Sequence, residues 1–359
     1  MRLDPHFQLI EGEAVTSGAD IAPRSASIID VRQSAVRDLI AGLAAEGDLY
    51  VLRDASVPPP SVDRDAGQVW LQTSGTTGIP KWVGHARDAL SARIAPGTPG
   101  DTARWLLTFN PGSFAGVQVI LSAMAGPHVL IVPSLHASVA DMADLAVRTN
   151  VTHISGTPTF WRAFVMALGS RPLSLKSLTL GGEAAEQTLL DILRKRFPDA
   201  ALRHIYATTE AGTVFSVRDG KAGFPRDWLS GDLTLTDRGT LAVRGRDTGD
   251  VIEVTADRVL FKGRIDAMVN IGGVKVYPET VEAHLLALPI VQEARVSARP
   301  NPVTGHVLVA DIVLKPDSDL AEAQIKAHLQ TLPRAQRPVS LRFVTHIDVG
   351  ATGKKSRVS

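Results

Sequence analysis

The sequence contains no cysteine. That absence excludes a disulfide framework, thiolate zinc sites, iron–sulfur clusters and a cysteine nucleophile. An excess of charge is missing too: 38 Lys and Arg stand against 37 Asp and Glu, a formal net of +1. Such a surface has no global positive field to select nucleic acid or acidic lipid, so neither is expected as a partner. Nor is there a long apolar run. The most hydrophobic stretch, Val117 to Pro133, is interrupted by Gln118, Gly126-Pro127 and His128. It falls short of the roughly 20 unbroken apolar residues that a membrane span needs and reads as helix, turn and buried strand. The opening residues Met1-Arg2-Leu3-Asp4-Pro5-His6 carry an early acid and no apolar segment, which argues against a secretory leader and makes the cytoplasm the expected compartment. No G-x-S-x-G elbow occurs and none of the ten histidines forms an H-x-x-x-H pair, which leaves a hydrolase reading without support. Internal repeats and low-complexity tracts are absent apart from Val57-Pro-Pro-Pro60.

What is present reads as an ordinary globular chain. Its 359 residues exceed one domain at roughly 150 residues each, and its 44% hydrophobic and 21% charged residues sit at the globular average, so two unequal folded domains are expected. From Val69 to Tyr206, β-rich runs at Trp105–Phe109, Val129–Val132, Val151–Ile154, Leu178–Leu180 and Leu202–Tyr206 alternate with helical patterns such as Asp141–Thr149. Pro158 is placed to open another helix at its first turn. After Gly212 the texture changes to short strands split by turns, at Thr213–Val217, Asp232–Leu235, Leu241–Val243, Val251–Val254 and Val259–Phe261. Beyond Gly263 a β-α-β-β-α-β order follows, with a strand at Met268–Val276, a Pro278-initiated helix, strands at Val291–Ala298 and Val307–Leu314, a helix at Leu320–Leu332 and a strand at Ser340–Val344. The predicted fold class is α/β: a large N-terminal α/β domain with a β subdomain, residues 1–263, and a small C-terminal α+β domain, residues 264–359.

Directly after strand-like Val69–Gln72 comes Thr73-Ser-Gly-Thr-Thr-Gly-Ile-Pro-Lys81. Gly75 and Gly78 let the backbone turn tightly and expose its N–H groups, the hydroxyls of Thr73, Ser74, Thr76 and Thr77 add donors, and Lys81 adds a cation, which together suit a polyphosphate. Taken alone, a loop of this composition is more often a mere connection. It is not the G-x-x-x-x-G-K-[ST] nucleotide loop, because the glycines and the lysine are spaced differently.

Downstream, in order, lie Gly181-Gly-Glu183, Tyr206-Ala-Thr-Thr-Glu210, Thr248-Gly-Asp250, Gly263-Arg-Ile-Asp266 continuing through Ile271-Gly-Gly-Val-Lys275 to Glu279, and Thr352-Gly-Lys354. With the loop at 73–81, this set resembles the adenylate-forming superfamily of acyl-CoA and aryl-CoA synthetases, nonribosomal adenylation domains and luciferases, over about Thr73 to Arg357. The resemblance implies ATP-dependent activation of a carboxylic acid to an acyl-adenylate with release of pyrophosphate, then transfer to a thiol. It implies that the loop closes over the β- and γ-phosphates, that Thr208 belongs to the ATP site, that Thr209 meets phosphate, that Glu210 holds Mg²⁺, and that Tyr206 stacks on adenine opposite the backbone of Gly182, Glu183 and Ala184. Asp250 matches the acid that accepts the ribose hydroxyls, Arg264 an arginine near ribose and phosphates, and Asp266 the hinge of a mobile C-terminal domain. Lys354 matches the catalytic lysine that bridges carboxylate and α-phosphate, and Gly272, Gly273 and Lys275 the segment that meets a pantetheine arm after domain rotation.

The chain also departs from that pattern. Ser113 stands where many relatives carry a histidine that gates the acyl pocket, His204 where many have an adenine-reading asparagine, and Ala207 where a glycine is usual. The expected acyl pocket comprises Ser113, Phe114, Gly116, Gly156, Thr157 and Gly181, whose small residues leave room for a planar ring, so the expected substrate is an aromatic or other small organic acid. The acceptor is expected to be CoA, with a carrier-protein phosphopantetheine supplied in trans as the alternative, and an inactive nucleotide-binding regulator as a third reading. The region before Thr73 is short for the family, which is compatible with an opened site, a homodimer interface or dependence on a partner.

Overall fold

A computed structural model describes residues 2–25, 28–60, 67–73, 80–94, 100–208, 211–315 and 321–347. The chain divides into two compact units, one formed chiefly by Met1–Gly182 and Leu193–Arg218, the other by Glu183–Ile192 and Asp219–Gly350.

The first unit is built on an eight-stranded sheet whose spatial order is Gly212–Val217, Ala201–Thr208, Ser177–Gly181, His153–Gly156, Arg104–Leu106, Val129–Val132, Gln8–Glu11 and Ala14–Ser17. The middle strands run parallel. Buried on both faces, parallel strands read as continuous apolar runs rather than alternating ones, which is how Val129–Val132 and Leu178–Leu180 appear. The helix Phe114–Met124 buries Val117, Val119, Ile120, Leu121, Ala123 and Met124, so it is apolar nearly all round. The hydrophobic stretch from Val117 is therefore helix, turn and central strand, as its breaks suggest. Helix starts follow local chemistry. Ser138 and Asp141 form a reciprocal capping box on Val139–Arg148, and Thr157 caps Pro158–Leu168, with the proline in the first turn. A second sheet of this unit orders Ile28–Asp30, Leu49–Leu52, Gln68–Thr73 and Lys81–Ala86, the first three parallel and the last antiparallel. One apolar core joins this sheet to the helix through Leu49, Val51, Val69, Leu71, Val117 and Ile120.

Two expectations are corrected. The strand assigned to the β subdomain at Thr213–Val217 instead spans Gly212–Val217 and pairs antiparallel with Ala201–Thr208 at the edge of the large sheet. The connection from Thr208 to Gly212 is too short for the chain to leave that sheet. The single strand expected at Met268–Val276 is a hairpin, Val269–Ile271 against Val274–Val276. Gly272 and Gly273 have φ of +58° and +88°, the successive left-handed values that a two-residue turn needs, so the glycines reverse the chain rather than bulge it.

The second unit holds a five-stranded antiparallel sheet ordered Phe224–Pro225, Arg258–Arg264, Arg246–Val254, Thr240–Val243 and Leu233–Leu235. It also holds the Val269–Val276 hairpin and a three-stranded sheet of Val291–Asn301, Gly305–Leu314 and Ser340–Phe343. The helices Pro278–Leu286 and Ala321–Leu329 share an apolar core with that sheet through Val281, Leu285, Ile325, Leu329, Ala294 and Ile312. The strands from Phe224 to Arg264 thus lie in the same unit as the C-terminal segment.

Candidate active site

In the large sheet, Arg104–Leu106 is followed by Val129–Val132 on one side, while His153–Gly156, Ser177–Gly181 and Ala201–Thr208 are added on the other. The direction of winding therefore reverses between Arg104–Leu106 and His153–Gly156. At such a reversal the two chain exits diverge and leave a crevice at the carboxyl ends of the strands, where open α/β sheets bind ligands. The residues that leave those ends are Leu107 to Ser113, Thr157, Gly182 and Thr208, so the first unit gathers much of the sequence-predicted site along one sheet edge. Thr108 Oγ1 donates to Ser155 O across the reversal.

The loop at 109–116 is rigidly built. Asn110 Oδ1 accepts from the Gly112 N–H at 2.9 Å, and Asn110 O accepts from the Ser113 N–H at 2.9 Å and from Ser113 Oγ at 2.7 Å. Ser113 Oγ in turn accepts from the Gly116 N–H at 3.0 Å, which caps the helix Phe114–Met124. A Cβ at Gly116 would sit 2.1 Å from Asn110 O, and one at Gly156 would sit 2.4 Å from Phe160 Cδ1. Where a side chain on either glycine would begin, the space is thus already filled, by a carbonyl and a ring. At Gly181 the nearest atom is Ile205 O at 3.7 Å, so this position does leave space.

Phe114 lies against His85, with ring centroids 5.5 Å apart, and its Cζ is 3.8 Å from where a Cβ on Gly212 would stand. Sequence reasoning missed His85. Its signal is register: it pairs with Val69 on Lys81–Ala86, and strand alternation turns it to the same face as that buried valine.

His204, Tyr206 and Thr208 alternate along Ala201–Thr208 and so share one face, with His204 buried. Tyr206 is stacked on its cross-strand partner Phe215, centroids 5.2 Å apart and planes 20° apart, so one ring face is occupied from within the sheet. The register slips after Tyr206, leaving Val214 as an extra residue, and Arg93 donates to its carbonyl at 3.3 Å. Thr208 Oγ1 accepts from the Ala211 N–H at 3.0 Å. Thr73 and Lys81 are cross-strand partners that close the base of the predicted phosphate loop, with Lys81 exposed. Ser74, Gly75, Thr76, Thr77 and Gly78, together with Thr209, Glu210 and Lys354, lie outside the described residues.

The second unit brings three predicted residues together. Arg264 and Asp250 are cross-strand partners. Arg264 Nη1 donates to Asp250 Oδ1 at 3.3 Å and Thr248 O at 3.1 Å, while its Nε and Nη2 fork onto Asp266 Oδ1 and Oδ2 at 3.0 and 3.3 Å. Between them Gly249 has a φ of +74°, and a Cβ there would stand 3.1 Å from Arg264 Nη2. The hairpin with Gly272, Gly273 and exposed Lys275 is propped from behind, since the Gly272 N–H donates to Thr304 O and the Gly273 N–H to Asn270 Oδ1, each at 2.9 Å. Glu183 and Ala184 also belong to this unit.

The perturbed histidines are elsewhere. Burial pushes His153 down to about 4 and His128 below its ordinary value, while a hydrogen bond from Lys176 lowers Asp101. These four residues stand at the starts of parallel strands, the end opposite the crevice.

Comparison with known proteins gives the family and the fold. A family model described as AMP-binding enzyme matches residues 9–237, and one described as AMP-binding enzyme C-terminal domain matches residues 280–354. The chain is 25% identical over 354 residues to the 4-chlorobenzoate–CoA ligase of Pseudomonas sp. (strain CBS-3), covering 84% of this chain and 66% of that protein. It is 25% identical over 339 residues to 4-coumarate–CoA ligase 4 of Arabidopsis thaliana, covering 79% of this chain and 59% of that protein. The chain thus spans about three-fifths to two-thirds of these relatives' length. Among solved structures, the anthranilate CoA ligase AuaEII in complex with anthranoyl-AMP superposes with a TM-score of 0.67 over 91% of this chain and 76% of that one; at 20% identity, that likeness shows the fold. The match over residues 9–237 takes in more than half of the sequence, and the chain therefore belongs to the AMP-binding enzyme family.

Proposed function

We propose that the protein activates a carboxylic acid with ATP and transfers the acyl group to a thiol, as an acid–thiol ligase. The observation that carries this reading is the clustering of Ser113, Phe114, Thr157, Gly181, Gly182, Tyr206 and Thr208 along one sheet edge, at a winding reversal, in a chain of this family. In the first step a carboxylate oxygen attacks the α-phosphorus of ATP, the bond from that phosphorus to the bridging β-oxygen breaks, and pyrophosphate leaves. Both reactants are anions, so cations and N–H donors must offset their repulsion as charge builds up. Lys81, Arg264 and Lys354 are the cations assigned to this task, with Thr73 and the loop residues 74–78 on the β- and γ-phosphates. Asp250 takes the ribose hydroxyls, which the two oxygens of one carboxylate can accept together. His204, Tyr206, Ala207 and the backbone of Gly182, Glu183 and Ala184 take the adenine.

Mg²⁺ would be held by Glu210 and the phosphates. A cation that keeps most of its waters needs only one or two carboxylates, which fits a chain whose described residues hold no cluster of three or more His, Cys, Asp or Glu able to cage a metal. When bound, it supplies charge neutralisation on the polyphosphate. In the second step the thiol sulfur attacks the acyl carbon, the bond to AMP breaks, and the thiol proton passes to solvent. Rotation of segment 264–359 about Asp266 would bring Gly272, Gly273 and Lys275 to the acceptor.

The acid is an aromatic or other small organic acid and the acceptor is CoA. The relatives named for 4-chlorobenzoate and 4-coumarate support an aromatic acid. Carboxylate-dependent exchange of labelled pyrophosphate into ATP, followed by thioester analysis with free CoA and with a phosphopantetheine-loaded carrier, tests each part. No exchange with any acid in a panel of aryl, short-chain and amino acids would overturn the reading.

A further inference from the structure

Arg53 follows the strand Leu49–Leu52 and sits between two parts of the candidate site. On one side its stem packs on the loop at 109–113: a Cβ at Gly112 would stand 2.8 Å from Arg53 Cγ, with Val31 and Val51 completing the contact. On the other side, its Nη1 donates to Gln72 O at 3.2 Å, one residue before Thr73, where the phosphate loop begins. The buried Gln72 side chain fixes this placement. Its Oε1 accepts from the Arg53 and Asp54 N–H groups at 2.7 and 2.8 Å, and its Nε2 donates to Asp54 O and Val57 O at 2.9 and 3.2 Å.

What this cation lacks among the described residues is an anion. Arg53 Nε is buried with no hydrogen-bond partner, and Arg53 forms no ion pair among the described residues. Asp54, next in sequence, and Asp30, the cross-strand partner of Leu52, are engaged elsewhere: Asp54 Oδ1 accepts from the Ser56 N–H at 2.8 Å, and Asp30 is paired with Arg32 at 2.6 Å. Burial holds the Arg53 guanidinium below its usual range. An uncompensated, partly buried guanidinium is costly, and its fork of N–H donors matches phosphate and carboxylate oxygens.

We propose that Arg53 is an anion-holding residue of the activation site, receiving β- and γ-phosphate oxygens of ATP and then those of the pyrophosphate formed from them. The inference rests on the acid-activating function proposed above. Polyphosphate is favoured over the substrate carboxylate because the guanidinium is bonded to the strand that runs into Thr73, whereas the contact with the acyl loop is made through the aliphatic stem.

The test is equilibrium binding of ATP, AMP and inorganic pyrophosphate, each with Mg²⁺, to the full chain and to Arg53→Met. Loss of charged hydrogen bonds to the terminal phosphates should weaken ATP and pyrophosphate by about tenfold to a hundredfold and leave AMP within about twofold. Arg53→Lys keeps the charge without the fork, so it should fall between the two; should the methionine variant not fold, it carries the same comparison of ATP with AMP. Equal weakening of ATP and AMP, or no change in either, overturns the proposal. A rise in the KM of the acid during pyrophosphate exchange with ATP binding unchanged also overturns it and gives the residue to the carboxylate. Wild-type protein that binds neither ATP nor AMP overturns the proposed function as well, whereas wild-type binding with an unaffected variant overturns the role of Arg53 alone.

Discussion

The two edges of the large sheet are made from different chemistry. At the amino edge, where Arg104–Leu106, Val129–Val132, His153–Gly156 and Ser177–Gly181 begin, stand Asp101, His128, His153 and Lys176, all titratable and partnered. Lys176 Nζ meets Asp101 at 3.1 Å, His128 Nδ1 accepts from the Ala103 N–H at 3.1 Å, and the His153 ring lies 4.7 Å from that of Trp105. The carboxyl edge is made instead of glycines, hydroxyls and backbone turns around Asn110, Ser113, Thr157 and Gly181. The lesson is that the displaced histidine pKa values, of a kind that often marks an active site, here mark packing at the amino edge, while the carboxyl edge of this sheet keeps most of its polar atoms on the backbone. Variants on either edge can break this contrast.

The largest effect is expected from Gly116→Ala. Its Cβ would overlap Asn110 O at 2.1 Å, a backbone atom that Ser113 also holds from two sides, so the loop or the first turn of Phe114–Met124 must move. A loss of about 3 kcal/mol or more in folding free energy is expected in urea unfolding. Unchanged stability would mean that the loop is not the rigid wall described. Next comes Lys354→Ala, a change aimed at chemistry alone. Pyrophosphate exchange should fall by about a hundredfold, near 3 kcal/mol in barrier, with the urea midpoint unmoved. Exchange within threefold of wild type would remove Lys354 from the mechanism.

The amino edge makes the pH prediction. His153 titrates at about 4 in the fold against an ordinary 6.5, so the fold prefers the neutral ring and the unfolded chain binds the proton first. The stabilising contribution is complete above 6.5 and is lost as pH falls through that value toward 4, and the lowered His128 acts in the same direction. After discounting for partial exposure, about 2 kcal/mol should disappear over that window. Urea midpoints at neutral pH and at the acid end of the window measure the loss, and His153→Phe should flatten it. A wild-type midpoint that rises on acidification would contradict the assignment.

How much of this was legible beforehand depended on whether a residue acts through its neighbours in sequence or in space. Pro158 and the apolar runs of the parallel strands depend on local chemistry, and they lie where the sequence suggested. The reversal at Gly272-Gly273 was half legible: two glycines permit a bulge or a turn, and only the pairing of Val269 with Val276 decides. Arg53 and His85 were illegible because nothing adjacent to them is unusual. One gains its interest from a glutamine and a glycine brought close by the fold, the other from strand register. The packing at two expected pocket glycines was illegible for the same reason, since a glycine looks empty in sequence and only the structure shows Asn110 O and Phe160 where a Cβ on Gly116 or Gly156 would stand.

Ser113 is where the contrast between the edges is finest and the expected effect smallest. If the carboxyl edge keeps its polar side chains on the backbone, the hydroxyl that caps Gly116 and donates to Asn110 O is structural, although the sequence led to Ser113 being expected in the acyl pocket. Ser113→Ala should then cost about 1 kcal/mol of stability, the usual value of a lost helix cap, and Ser113→Asp should recover most of it by restoring an acceptor for the Gly116 N–H. The KM for the acid in pyrophosphate exchange should stay within about twofold of wild type, since less than half a kcal/mol separates values that close. The opposite pattern, unchanged stability with a shifted acid KM, would return Ser113 to the acyl pocket and show that this edge, too, commits side chains to the substrate.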